Sequence, residues 1–334
     1  MEKRVILSAF GDEGANSRAP REQLAVLAAL GLHYYSLRNV QFGPVPQHFT
    51  TLSSAQVAEL TELHAEYGMS VAELGTAIGK TKIVEEEDGT ANKFVSDAEC
   101  LRQLDHVIEL CGKFGTKMIR AFTFYHPKGK KAADYVSASV DRLAPLAERA
   151  RAAGVVLGLE IEANLIGEDG ATLASICRQL KNDHVVTIWD GANIACRNLG
   201  RDDCLGHFAA MADTVGWMHA KDYQIQTGLP WAGHVDEERL KHFVPVGRGD
   251  SAYPNVFSHV RSNFATYADR AERLGLPGFV ITLEPHLKGG GQFGGFSGPD
   301  GMGVALRALD SMLQECGFRT SLRCMNDVLE SRES

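Results

Sequence analysis

The feature that most constrains the fold of this chain is an alternation. Short apolar runs rich in β-branched residues recur along it, and each is followed by a longer segment whose apolar residues fall at helical spacing. Eight such units can be counted. The predicted strands are Arg4 to Phe10, His33 to Val40, Ser70 to Gly75, Met118 to Phe124, Val155 to Glu160, Val185 to Asp190, Val215 to His219 and Phe279 to Glu284. Between them, Arg21 to Leu30, Ala55 to Tyr67, Asp97 to Lys113, Ala132 to Ala153 and Asn255 to Leu274 read as amphipathic helices. Gly31, Gly68, Gly115, Gly154 and Gly278 stand just before the next strand, where a helix end calls for left-handed backbone.

Repeated βα units predict an α/β protein whose strands close into a (β/α)8 barrel. A doubly wound sheet is the rival, but no G-x-G-x-x-G follows the first strand to mark a dinucleotide site. Residues 1–334 are expected to form a single barrel domain. Elaborated loops are expected at about 224–253 and 289–303, after the seventh and eighth strands. Both would lie at the C-terminal mouth, where barrels place their active sites. From about 319 the chain reads as a tail or an appended helix.

Composition excludes several classes. With 44% hydrophobic and 23% charged residues, the chain has the balance of a globular protein with a full core. A net charge of −8 and the lack of any sustained Lys/Arg block argue against nucleic acid as a partner. No apolar stretch approaches the roughly 20 residues of a membrane span. Met1 to Phe10 meets Asp12 and Glu13 too soon to resemble a signal peptide. The seven cysteines are scattered and include no C-x-x-C pair, as expected of reduced thiols. A cytoplasmic location is therefore expected.

The last four predicted strands share an ending. VVLGLE stops at Glu160, VVTIWD at Asp190, VGWMH at His219 and FVITLE at Glu284. A lone acidic residue after a strand is usually a helix N-cap or a solvated loop residue. Four potential ligands in succession, on neighbouring strands of a barrel, converge instead on one mouth. Three carboxylates and an imidazole make a hard, anionic site suited first to Mn²⁺ or Mg²⁺, with Co²⁺ or Zn²⁺ as further candidates; manganese is the expected ion. An ion with open positions can engage the carbonyl and a neighbouring hydroxyl of a sugar, which favours loss of a proton from the adjacent carbon.

That chemistry needs a base. His126, in IRAFTFYHPKGK after the fourth strand, is the first candidate. Its alternative role is to shape the loop before Pro127. Glu162 and His286, two residues beyond Glu160 and Glu284, are the other candidates for the base, or else contacts to substrate and ligands. Arg38, Glu73, Arg120 and Lys221 are expected to bind substrate, since charge within or beside a strand is costly unless it faces a polar site. Asp222 could orient His219 or pair with Lys221. Trp189, Trp217, Phe122 and Phe124 read as core before they read as sugar platforms. The run GGGQFGGFSGPDGMG lacks a P-loop lysine and reads as a lid or a plain flexible loop.

The set LEIEANLIGED, WDGAN, MHAKD, PVGRGD and LEPHLKGGGQFGGFSGP, with SAFGDE, ALGLHYYSLR and AFTFYHPKG upstream, resembles the xylose-isomerase-like TIM barrel superfamily of sugar isomerases and epimerases. The resemblance places that family's metal ligands on Glu160, Asp190, His219 and Glu284. Within the superfamily the chain looks most like the catalytic α subunit of bacterial C-glycoside deglycosidases. This implies a metal-dependent lyase that cleaves the carbon–carbon bond of a 3-oxo-C-glycoside, with His126 or a neighbour removing the proton at sugar C2. It also implies a small β subunit as a partner. Ile161 is a departure, because related isomerases often carry Asn there. Keto-sugar isomerisation or epimerisation is the alternative, since it shares the same first step. An AP endonuclease would be expected to carry extra zinc-binding histidines and a basic face. A non-catalytic sugar-binding or scaffold protein should show gaps in the ligand set.

Overall fold

Strands buried on both faces pair parallel and need a crossover helix each. The computed structural model, which describes residues 3–288, 296–324 and 327, has this form. Its eight barrel strands are β1 (Arg4–Ala9), β2 (Tyr34–Leu37), β3 (Ser70–Ile78), β4 (Met118–Ala121), β5 (Val156–Glu160), β6 (Val185–Asp190), β7 (Val215–Ala220) and β8 (Val280–Leu283). They run parallel in the order β1, β8, β7, β6, β5, β4, β3, β2. A parallel bridge from Phe10 to Ser36 joins β2 back to β1 and closes the (β/α)8 barrel. No helix among the described residues is long and apolar enough to cross a membrane.

Side chains alternate along a strand, so residues two apart share a face. Ile6, Tyr34, Ala72, Met118, Val156, Val186, Trp217 and Val280, one from each strand, pack together inside the barrel. Two such steps onward from Val156, Val186 and Val280 lie Glu160, Asp190 and Glu284, and one step from Trp217 lies His219. The barrel interior thus changes from an apolar floor to a charged mouth. Trp217 is fully buried in that floor, as is Trp189 elsewhere in the core.

Gly158, between Val156 and Glu160, makes room for Trp217. A Cβ at Gly158 would stand 2.3 Å from Trp217 Cζ2 and 2.7 Å from Ile188 Cγ1. The Gly158→Ala variant is therefore expected to lose about 1–3 kcal/mol, the usual cost of overpacking. Urea unfolding should show a lower midpoint with the slope unchanged.

Several elements differ from the expectations of the sequence. The second strand stops at Leu37, and Asn39–Val40 pairs antiparallel with Gln47–His48 in a separate hairpin. The fourth ends at Ala121, and Phe124 takes a left-handed φ of 69°. The helix expected from Asn255 to Leu274 is two, Tyr253–Ser262 and Phe264–Arg273. At the break the Asn263 side chain donates to His259 O at 2.9 Å, the local competition with backbone bonding that interrupts helices. Gly278 precedes β8 with a φ of 144°, whereas Gly275, with a φ of 64°, closes the helix before it.

The residues from 319 are not simply a tail, because Arg319–Thr320 forms a ninth strand parallel to β1. The reason is an open edge: β2 meets β1 only at Phe10, so the start of β1 would otherwise leave backbone groups unpaired. Of the glycine-rich stretch, residues 298–303 belong to the helix Gly298–Glu315, and residues 289–295, on which the expected lid largely falls, lie outside the described residues.

Candidate metal centre and substrate chamber

Glu160, Asp190, His219 and Glu284 meet at the C-terminal mouth, each offering one ligand atom, with all four atoms within 4.8 Å of one another. All four side chains are buried. Their surroundings are strongly ionic. Lys221 Nζ lies 2.9 Å from Glu284 Oε2 and 3.1 Å from Asp190 Oδ2. Arg38 donates to Glu284 Oε1 at 2.7 Å, and Arg120 approaches Glu160 Oε2 at 3.3 Å. His219 stands between two carboxylates, Nδ1 at 3.2 Å from Glu160 and Nε2 at 3.0 Å from Glu73.

These contacts set the protonation of the site. Burial alone would lower the His219 pKa, but Glu73 and Glu160 outweigh it and push it up to about 10. Burial pushes Asp190 up, to about 7, with Lys221 opposing and the neighbouring carboxylates reinforcing. Glu160 goes the other way: burial raises it, yet His219 and Arg120 together hold it below the ordinary range. Glu284 is likewise held well below it, against the effect of burial, chiefly by Lys221 with His286 and Arg38.

The donor set suits a divalent cation. Asp190 Oδ2 is fully buried and accepts no hydrogen bond, despite the nearby ammonium of Lys221. Carboxylates also outnumber fixed cations here: Asp12, Glu13 and Glu73 join the three ligand carboxylates, against Arg38, Arg120 and Lys221. A buried excess of anionic charge is costly until a cation offsets it. This acidic and imidazole cluster could hold a metal ion.

The cluster opens into a chamber of about 170 Å³ whose lining includes Arg38, Arg120, Glu160, Glu162, Lys221 and Glu284. The expected substrate contacts Arg38, Arg120 and Lys221 thus border it. Glu73 is instead buried behind His219. Of the three candidate bases, only Glu162 lines the chamber, where Lys80 Nζ approaches its Oε2 at 2.8 Å. The ring of His126 engages its own loop, with Nδ1 3.1 Å from Pro127 O, and does not line the chamber. His286 Nδ1 lies 2.8 Å from Glu13 Oε1, also outside the lining, on a backbone with a φ of 52°.

Asp222 does not touch His219 or Lys221 in these contacts. Its carboxylate accepts the backbone N–H groups of Tyr223, Gly247, Gly249 and Ser251 at 2.8–3.0 Å. PVGRGD is thus a backbone cradle for this acid, and it fastens the long segment after β7 to the barrel. Fully buried Arg239 completes the anchor with bonds to Cys196 O at 2.6 Å and Leu229 O at 3.1 Å.

Sequence reasoning missed Lys80, His48, Asn193 and the role of Asp12. Asp12 receives a forked contact from Arg38, 2.9–3.2 Å, and Asn193 donates to Glu160 Oε1 at 3.2 Å. The pair Asp12 and Glu13, three and four residues past the end of β1, was a visible clue, close to where later strands carry their acids. His48 gave none, because it arrives from a hairpin whose pairing is not periodic.

A closed barrel with charged strand ends gathered over an apolar floor defines a class of protein, the (β/α)8 barrel with its functional site at the C-terminal mouth. Residues 24–286 match the family described as xylose isomerase-like TIM barrel, and the chain belongs to that family. No curated protein matches it by sequence. Among solved structures it is similar to an IolI protein described with a bound zinc atom, at a TM-score of 0.62 and 13% identity, covering 92% of this chain and 98% of the other. It is also similar to a xylose isomerase-like TIM barrel protein from Mycobacterium smegmatis in complex with magnesium, at 0.58 and 15%, covering 93% and 98%. A third is the 3-keto-D-glucoside 4-epimerase YcjR from E. coli, at 0.57 and 14%, covering 94% and 100%. At these identities the likeness is one of fold.

Proposed function

We propose that the chain is a divalent-metal-dependent enzyme that removes the proton beside the carbonyl of an oxidised sugar. The observation that carries this reading is the convergence of Glu160, Asp190, His219 and Glu284 within 4.8 Å beside a small polar chamber. When bound by these four residues, the metal supplies an electrophile for the sugar carbonyl oxygen, and Mn²⁺ is the ion we favour. Zinc and magnesium in two of the similar folds support a divalent ion, and the keto-glucoside epimerase supports a keto sugar.

Glu162 takes the proton in this scheme, because it is the candidate base that borders the chamber. Lys80 beside it orients the carboxylate. Arg120 and Lys221, both buried, face the developing negative charge, where attraction is stronger than in open water. His48 lines the chamber too, but its Nδ1 and Nε2 are engaged at 2.8 Å with Thr50 Oγ1 and 3.1 Å with Gly75 O.

Two fates follow from the same first step. In the lyase reading, supported by the resemblance to C-glycoside deglycosidase catalytic subunits, the proton leaves C2 and the bond from C1 to the aglycone breaks. A C1–C2 double bond forms and the aglycone carbon takes up a proton. A small partner subunit enters the proposal through that resemblance. In the isomerase or epimerase reading, supported by the keto-glucoside epimerase fold, a proton returns to a sugar carbon.

The test is to strip the protein with chelator, restore Mn²⁺, and supply a 3-oxo-C-glycoside and a 3-keto-hexose in D₂O, with and without co-expressed partner chains. Metal-dependent entry of deuterium next to the carbonyl is expected. Released aglycone assigns the lyase, and an isomerised or epimerised sugar without cleavage assigns the alternative. A metal-loaded protein that exchanges no proton on either substrate refutes the enolising reading.

A further inference from the structure

Glu73 lies outside the four-ligand cluster and does not line the chamber, yet its carboxylate is fully buried. A buried charge is costly unless it is paired, so a glutamate inside the barrel needs a reason to be there. The cations of the site are engaged elsewhere. Arg38 binds Asp12 and Glu284, Arg120 approaches Glu160, and Lys221 lies between Asp190 and Glu284. Both oxygens of Glu73 converge instead on one atom, His219 Nε2, at 3.0 and 3.2 Å.

This contact crosses the barrel. Glu73 stands on β3 and His219 on β7, opposite each other in the closed order of strands. It also divides the imidazole into two sides. Nδ1 faces the ligand Glu160 at 3.2 Å, whereas Nε2 faces Glu73, which is not among the four. Phe10 packs against the His219 ring at nearly a right angle, 84°, with centroids 5.2 Å apart. Turning the imidazole would therefore break both carboxylate contacts and disturb the packing with Phe10.

A neutral imidazole has one N–H and one lone pair, and the partner of one nitrogen decides the state of the other. A proton on Nε2 finds an acceptor in Glu73, while a proton on Nδ1 would leave the Nε2 lone pair facing a second acceptor. We infer that Glu73 is a positioning residue of the metal centre: it holds His219 with its proton on Nε2 and its Nδ1 lone pair directed at the ion. A carboxylate behind the ring also makes Nδ1 the stronger donor, as such partners of ligating histidines do. The inference rests on the reading of Glu160, Asp190, His219 and Glu284 as a metal centre.

The test uses the full-length protein and metal alone. Chelator competition with Mn²⁺ should show affinity about 10-fold weaker in Glu73→Gln, which keeps the volume and an acceptor oxygen but loses the charge. Glu73→Leu, which loses the acceptor too, should fall further, to about 100-fold. In Zn²⁺-loaded wild type carrying ¹⁵N-labelled histidine, long-range ¹H–¹⁵N spectra should place the His219 proton on Nε2, the signals being assigned by their absence in His219→Gln. A Glu73 that served folding alone would shift the urea midpoint of the metal-free protein and leave Mn²⁺ affinity at the wild-type value. That result overturns the inference, as does ligation of Zn²⁺ through Nε2. If Glu73→Leu does not fold, Glu73→Gln and the spectrum decide.

The wild type separates this role from the site it serves. Mn²⁺ binding in the wild type that is undiminished in Glu73→Gln keeps the metal centre and removes the role of Glu73. A wild type that binds neither Mn²⁺ nor Zn²⁺ removes both.

Discussion

Replacing Asp190 by Asn should weaken divalent metal binding by more than 100-fold and abolish measurable metal-dependent proton exchange. Loss of groups that merely support a ligand typically costs 10–100-fold, so loss of a ligand should exceed that range. Asp190 is the informative choice among the four. Its Oδ2 is the buried acceptor with no hydrogen bond, and its amide counterpart keeps the volume while removing the charge. Chelator competition with Mn²⁺ measures the affinity, and unchanged affinity would show that the cluster is a closed ion-pair network and not a metal centre.

The same titration carries a proton count. With His219 pushed up to about 10 and Asp190 to about 7, the cluster holds protons at neutral pH. Ligation requires those protons to leave, so metal uptake releases them and the apparent affinity strengthens as pH rises from about 7 towards 10. Calorimetry in two buffers of different ionisation enthalpy reads this release directly.

The second large effect is expected at Glu162. Glu162→Gln should lower kcat for proton exchange by about 10²–10⁴, the usual contribution of a positioned base, with metal affinity unchanged. His126→Ala, altering a ring bonded to its own loop, should change kcat by much less. The reverse ranking would return the base to His126 and require that loop to close over the chamber. A loss in both variants limited to KM would assign both residues to binding.

The barrel was legible in the sequence because strand and helix periods are local properties: each apolar run announces a buried strand, and each amphipathic segment the helix that covers it. So were the four residues that gather at the mouth. In a parallel barrel the ends of successive strands are spatial neighbours by topology, so recurrence at one place in each unit translates directly into proximity.

The rest depended on contacts without a period. Whether His126, Glu162 or His286 borders the chamber depends on how each loop turns after its strand, which a left-handed residue such as Phe124 redirects. Asp222 looked like a partner for His219 but bonds four backbone amides 25–29 residues away or adjacent to it, a pairing fixed by the return of the long loop. Arg319–Thr320 became a strand because β2 leaves the start of β1 unpaired, a vacancy that exists only once the sheet has curled. Local chemistry thus dictated the strands and what they carry at their ends, while the closing of the barrel decided which loop residues face the chamber.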